Sequence, residues 1–322
     1  MSDLLTTDTG TSPTGVSGGV SPRRTSAGAL FRKIRTGAPV VPFIVYVTLG
    51  LLLPTLEIIN YAFRSDSGKP TLANIRTILS SGHVVNGVRN GGQYLAGFEN
   101  SLKLALVTSI VPGILGTFVA YAIATSKHGL FTRLTAACSG VLSQFGGVNL
   151  AFMFVAAFGA LSGVATHWLA NIGLNPWDHG FNLYKFWGVA FVYMYFQIPL
   201  MILIITPAFA GLKESWREAA ENLGASSWRY WRHVGLPVLA PAVLGSMFLL
   251  FGSGFSAYAT AEALTAGSIA ITPIQIGAIL QGNVLANQAN IGYALGFAMI
   301  VILLFSVIGY ALLRKRTSRW LR

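Results

Sequence analysis

The chain has 322 residues, 53% of them hydrophobic and only 10% charged, and a mean hydropathy of +0.61. A soluble domain carries about a quarter charged residues, so the composition excludes that class and assigns the chain to lipid. The net charge of +12 is dispersed over the ends of apolar runs rather than gathered on one face, which argues against a nucleic-acid partner.

Residues 1–36 are rich in Ser, Thr and Gly without apolar period, and read as a disordered cytoplasmic tail. The tail has no basic region leading directly into a short apolar stretch and a small-residue cleavage site. The first apolar run, 37–63, is therefore expected to be a retained membrane anchor. A bilayer crossing takes about 20 mainly apolar residues. Six runs meet that demand, near 39–62, 99–125, 134–161, 185–209, 238–262 and 290–313. Backbone groups in hydrocarbon must be satisfied internally, so the expected fold class is all-α, a polytopic protein of six transmembrane helices.

Charge orients the bundle. With the N-terminus inside, sixteen of the 22 Lys and Arg residues fall on cytoplasmic segments, including Lys127, Arg133, Lys213, Arg217, Arg229, Arg232 and the basic tail 314–322. Six fall outside, among them Lys103 and Lys185 at helix mouths. Short cytoplasmic loops concentrate these residues, so both termini are expected to be cytoplasmic. An extracytoplasmic loop, 64–98, follows the first helix and is long enough to fold partly on itself. A second outer connection carries Trp168, Trp177 and Trp187, read as interfacial tryptophans. The single cysteine, Cys138, allows no intrachain disulfide and reads as a small buried side chain.

The most informative segment is the cytoplasmic loop 210–237. Leu212, Trp216, Ala219 and Leu223 recur at helical spacing on one face, with Glu214, Glu218 and Glu221 on another, which predicts an amphipathic helix. Gly224 follows where a helix end needs positive φ. Ser226 or Ser227 then caps a second short helix, and Pro237 opens the fifth membrane helix. Such a loop is either an interfacial anchor or a docking element that offers small side chains and the Glu218 carboxylate to a partner.

Glu218-Ala219-Ala220, three residues, Gly224, nine residues, Val234, one residue, Leu236-Pro237 resembles the "EAA" signature of binding-protein-dependent ABC importer permeases (the MetI-like superfamily), with Val for the usual Ile. The resemblance extends over helices two to six and identifies 99–313 as the permease core. The Phe98-Glu99-Asn100-Ser101 segment and the stretch from Thr272 to Tyr293 are most similar to the spermidine/putrescine type. The resemblance implies that residues 212–237 form a coupling helix seated on a cytoplasmic ATPase. Glu218, Ala219, Ala220, Gly224, Trp216 and Arg217 would transmit motion there, and Leu236 and Pro237 would fix the return into the membrane. It implies a second permease, expected to be a different chain, two copies of the ATPase, an extracytoplasmic solute-binding protein, and residence in the bacterial inner membrane. ATP and Mg would bind the ATPase. No GxxxxGK[ST] phosphate loop occurs here, so this chain is expected to bind no cofactor and to catalyse nothing.

Helices two to six have no Asp, Glu, Lys, Arg or His near mid-span, which disfavours a secondary carrier. No HExxH or paired aspartate supplies a metal site or a membrane protease. An exporter and a non-transporting scaffold are the remaining alternatives. Gly113, Gly116, Gly146, Gly147, Gly252 and Gly254 read first as close-packing positions. Gln144, Gly146, Gly147 and Asn149 are also candidates to line a path for a polar solute. Glu57 and Glu262, towards outer helix ends, suit either a cation such as a polyamine at the outer mouth or plain solvation. Aminophosphonates and opines are the other small solutes the resemblance admits.

Overall fold

The computed structural model describes residues 40–79, 91–126, 129–161, 163–282 and 289–320. The predicted tail 1–36 lies outside them. The chain divides into two units, residues 1–55 and 56–322. In the first, the described residues form the start of α1 (Val41–Ala62), which carries a π-helical turn at Thr48–Leu52. None of its side chains from Val41 to Leu52 is buried. Thr48 and Thr55 each return a hydroxyl to the carbonyl four residues back, at 2.8 and 2.7 Å, which satisfies these polar groups inside an apolar helix.

Among the described residues of the second unit the regular structure is helical apart from one isolated bridge, Arg64 to Pro70. Its helices are α2 (Ala73–Leu79), α3 (Gly91–Thr125), α4 (Gly129–Gln144), α5 (Gly147–Phe158), α6 (Val164–Asn171), α7 (Phe186–Ala210), α8 (Glu214–Asn222), α9 (Ser227–Ser256), α10 (Ala259–Thr265), α11 (Thr272–Leu280) and α12 (Ala289–Trp320). Five helices, α1, α3, α7, α9 and α12, are long and apolar enough to cross a membrane, and six spans result if α4 and α5 are one broken crossing.

α7 lies centrally, packed against α3, α4 and α9, while α12 packs on α9. Two apolar clusters fill this bundle. One gathers Leu104, Leu150, Phe154, Val189, Tyr193 and Leu264, the other Ala120, Met201, Ile205, Leu239 and Leu250. Lipid tails are as apolar as these side chains, so close van der Waals fit carries the association. The glycines supply it. A Cβ on Gly116 would come within 2.6 Å of Met201 Cβ, one on Gly113 within 2.7 Å of Met247, and one on Gly254 within 2.7 Å of Thr108 Oγ1. The packing reading of these glycines is correct. Gln197 is fully buried beside Thr108, 3.3 Å away, a polar tie between α7 and α3 in the apolar interior.

Four expectations need correction. The run 134–161 is not one helix: its two halves meet at 104°. The run 238–262 begins earlier and ends earlier, because α9 is continuous from Ser227 to Ser256 and Glu262 belongs to the separate α10. Helix two begins at Gly91, so the segment 64–98 is helical in part and contains α2 as well. At 1.5 Å per residue α3 is longer than the roughly 30 Å hydrocarbon core, and its first turns project beyond it. Those turns hold the Phe98–Ser101 segment. Asn100 donates to Ala270 O at 3.0 Å, and the buried Ser101 hydroxyl accepts from Thr272 N–H at 2.8 Å, so this segment fastens the start of α11. Cys138 is exposed, not buried.

Candidate functional site

The loop after α7 is ordered by local chemistry. α8 starts at Glu214, an acid in the first turn where the helix dipole favours it. It ends in a Schellman arrangement: Gly224, at φ +75°, donates to Glu221 O at 2.9 Å, and Ala225 donates to Ala220 O at 2.9 Å. Gly224 thus does what its position after the apolar repeat predicts. Ser226 then accepts from Arg229 N–H at 3.4 Å and caps α9.

Pro237 does not mark a new helix, contrary to expectation. α9 runs through it because residues Trp231–Gly235 form a π-helical turn in which Leu236 N–H donates to Trp231 O. The proline, which has no donor, falls where the hydrogen-bond register changes. The wider turn also seats the Trp231 ring, which occupies the space a Cβ on Gly235 would need. Trp231 meets the Tyr121 ring edge-on at 5.0 Å, which anchors the loop to α3.

The predicted amphipathic face divides. Leu212 and Trp216 are half-buried, whereas Ala219 and Leu223 are exposed, Leu223 at 87%. Glu218, Arg217 and Gly224 are exposed beside them, and Ala220 is half-buried. Leu236 and Pro237 are exposed one helix later. Arg217 donates to Glu221 at 3.0 Å; the hydrogen bond first, then the charge, holds its guanidinium above the ordinary arginine value. Glu218 is exposed and forms no ion pair among the described residues, so the carboxylate of the EAA-like triplet faces outward with Ala219 and Leu223.

A second cluster forms at the break between α4 and α5. Gly147, at φ +74°, donates to Thr260 Oγ1 at 2.9 Å, and the same hydroxyl donates to Gly147 O at 3.1 Å. This reciprocal pair, between α5 and α10, holds the 104° bend in place. Gln144 ends α4, Asn149 lies in the first turn of α5, and both are exposed with Gly146, while Gly147 is half-buried. The four residues expected along one helix are instead grouped at a corner. Thr260 was not singled out by the sequence reading, since a threonine in a hydrophobic segment carries no signal by itself. Gln197 was missed too, although a glutamine inside an apolar run is a visible one.

The outer acids do not form one site. Glu57 is exposed on α1. Glu262 is half-buried on α10, and its Oε2 is enclosed without a hydrogen-bond partner, unlike the solvated end expected. Glu99 is bonded to Lys103 at 2.6 Å, and Asp178 accepts from Asn175 at 2.9 Å. Lys103 and Lys185 border an outer cavity of about 430 Å3 with Asn100, Phe186 and Ile269. Of the three tryptophans, Trp168 and Trp187 are exposed as interfacial residues are, but Trp177 packs inward and donates to Phe158 O at 2.9 Å. Among the described residues no group of three or more His, Cys, Asp and Glu side chains could hold a metal ion.

The family model described as "Binding-protein-dependent transport system inner membrane component" matches residues 113–319. The sulfate transport system permease protein CysT of Escherichia coli is 27% identical over 222 residues, covering 67% of this chain and 76% of its own. A spermidine/putrescine transport system permease protein PotC homolog of Mycoplasma genitalium is 23% identical over 272 residues, covering 84% and 88%. In three dimensions the chain is similar to one in the crystal structure of a bacterial alginate ABC transporter in complex with alginate pentasaccharide-bound periplasmic protein. The TM-score is 0.62 at 16% identity, over 86% of this chain and 95% of that one. That likeness concerns the fold.

Proposed function

This chain belongs to the family of binding-protein-dependent transport system inner membrane components, and from that premise we propose that it is the permease subunit of an ATP-driven importer, coupled through residues 212–237 to a separate ATPase. The observation that carries the coupling is the capped helix α8, which turns Glu218, Ala219 and Leu223 outward from a loop anchored by Trp231 on Tyr121. Exposed small and acidic side chains on a short rigid helix suit insertion into a cleft of another protein. The motion of two ATPases would pass through α8 and α9 into the bundle, because α9 continues without interruption from the loop into the membrane. ATP and Mg are bound by those partners, and this chain contributes no catalytic group.

The transported solute is small and polar, chosen first by an extracytoplasmic binding protein, and it passes the corner formed by Gln144, Gly146, Gly147 and Asn149 between this permease and a second, different one. A polyamine-like cation is supported by the exposed acid Glu57 and the similarity to the PotC homolog. A small anion is the second reading, favoured by Lys103 and Lys185 around the outer cavity and by the similarity to CysT.

The test is to co-express the chain with its genomic neighbours, reconstitute the complex in nanodiscs, and measure ATP hydrolysis with binding protein loaded with spermidine or sulfate in turn. A co-purifying ATPase stimulated by one loaded binding protein supports the role and identifies the solute class. If no ATPase co-purifies, the coupling role is lost and α8 is an interfacial anchor.

A further inference from the structure

An apolar groove of about 550 Å3 opens on the surface between α3, the end of α7 and α9, on the loop side of the bundle. Its walls include Phe118 and Tyr121 of α3 and Trp228, Leu236, Ala240 and Leu244 of α9. The transport role proposed above uses the Trp231–Tyr121 contact at its edge but assigns no occupant to its apolar space, and its size lies within the range of small-molecule sites. On α9 the lining runs from Trp228 and Trp231 at the loop to Val243, Leu244 and Met247, and all of it is apolar. Trp228 is the lining residue of α9 nearest the loop, and Arg229 beside it and Arg232 one turn on, neither of them in the lining, put two cations in the chain near that end of the groove. Arg229, next to Trp228, is exposed like Arg232, and neither forms an ion pair among the described residues, where the pairs are Lys103–Glu99 and Arg217–Glu221.

We propose that this groove is a binding site for an anionic phospholipid of the cytoplasmic leaflet, with an acyl chain along α3 and α9 and the phosphate against Arg229 and Arg232. Charge decides between occupants. A helix of a second permease would fill the apolar walls and leave two unpaired guanidiniums at its end, whereas an anionic amphiphile satisfies both parts of the site. The two tryptophans, Trp228 and Trp231, stand where chain and headgroup meet, the level at which such rings settle.

The full chain, purified in detergent, is titrated with phosphatidylglycerol and with phosphatidylcholine of the same chain length, and bound lipid is counted by native mass spectrometry. Phosphatidylglycerol is expected to bind at least about fivefold more tightly, each cation near the surface contributing to that preference. Arg229→Gln with Arg232→Gln should abolish the preference while helical content and Tm stay unchanged. Ala240→Trp, at an exposed groove position, should weaken both lipids. Equal binding of the two lipids by the unaltered chain would overturn the proposal, as would a preference that survives the double arginine variant. So would efficient disulfide cross-linking in membranes of Leu244→Cys, in a Cys138→Ser background, to a second copy, since the groove would then be a protein interface.

Discussion

Thr260 and Gly147 exchange two hydrogen bonds through a single hydroxyl, so one side chain holds both backbone groups at the corner of a broken span. Thr260→Val keeps the shape and removes both bonds. A buried polar group left without a partner costs about 1–3 kcal/mol, so Tm in detergent should fall, and Thr260→Ser should restore it. An unchanged Tm in the valine variant would mean that packing of α5 on α10 holds the bend without the hydroxyl. Gly224 poses a different question, because no atom lies within 4 Å of where its Cβ would be, while φ is +75°. Within the chain, a side chain there meets backbone strain and not crowding. Gly224→Asn tolerates that backbone and should keep the turn, whereas Gly224→Val should lose it at a cost of about 1–2 kcal/mol. Uptake assays on membranes with equal amounts of inserted protein separate two causes: loss in the valine variant alone points to the turn, and loss in both points to a surface that a partner must approach.

At the scale of elements, α3, α7 and α9 meet through missing side chains. Gly116→Leu drives atoms into Met201 and the Ile198 carbonyl, and overpacking of this kind costs about 1–3 kcal/mol. Gly140→Ala on α4 is the control, since nothing lies within 4 Å of its Cβ and alanine favours helix by about 1 kcal/mol. Thermal unfolding of the two variants should therefore move in opposite directions, and equal shifts would remove the close-packing account. The continuity of α9 has its own local cause. The π turn at Trp231–Gly235 accommodates Pro237 and keeps α9 continuous from the loop to Ser256. Proline, glycine and capping serine were all visible along the chain, but a proline reads as a boundary unless the register shift before it is known.

For the whole molecule, the broken pair decides parity. If α4 and α5 together cross the bilayer, there are six crossings and both ends lie on one side; if they form a re-entrant hairpin, there are five and the ends lie on opposite sides. The sorting of Lys and Arg requires the first arrangement, because Arg133 before the pair and Arg217, Arg229 and Arg232 after α7 must share the cytoplasm. In a Cys138→Ser background, cysteines at Ser227 and Asp178 should therefore react with impermeant maleimide from opposite faces, the first from the cytoplasm only. The reverse pattern, with Ser227 reacting only from outside and Asp178 only from the cytoplasm, would show that the pair does not cross.

The sequence by itself determined the solvent, the fold class and the helix–turn–helix of the loop 210–237, because these depend on composition, on runs of about 20 apolar residues and on a motif whose spacing lies within one segment. Helix periodicity and a glycine after the last repeat placed α8 and its cap without any knowledge of neighbours. Only the tertiary structure decided that the third run bends by 104°, that the Phe98–Ser101 segment clasps Thr272 from 171 residues away, that Glu262 is half-buried and that α3 and α9 enclose an apolar groove. Each of these rests on a partner distant in the chain, a hydroxyl, a carbonyl or an aromatic face, and an apolar residue in lipid has the same local signature whether it faces such a partner or an acyl chain.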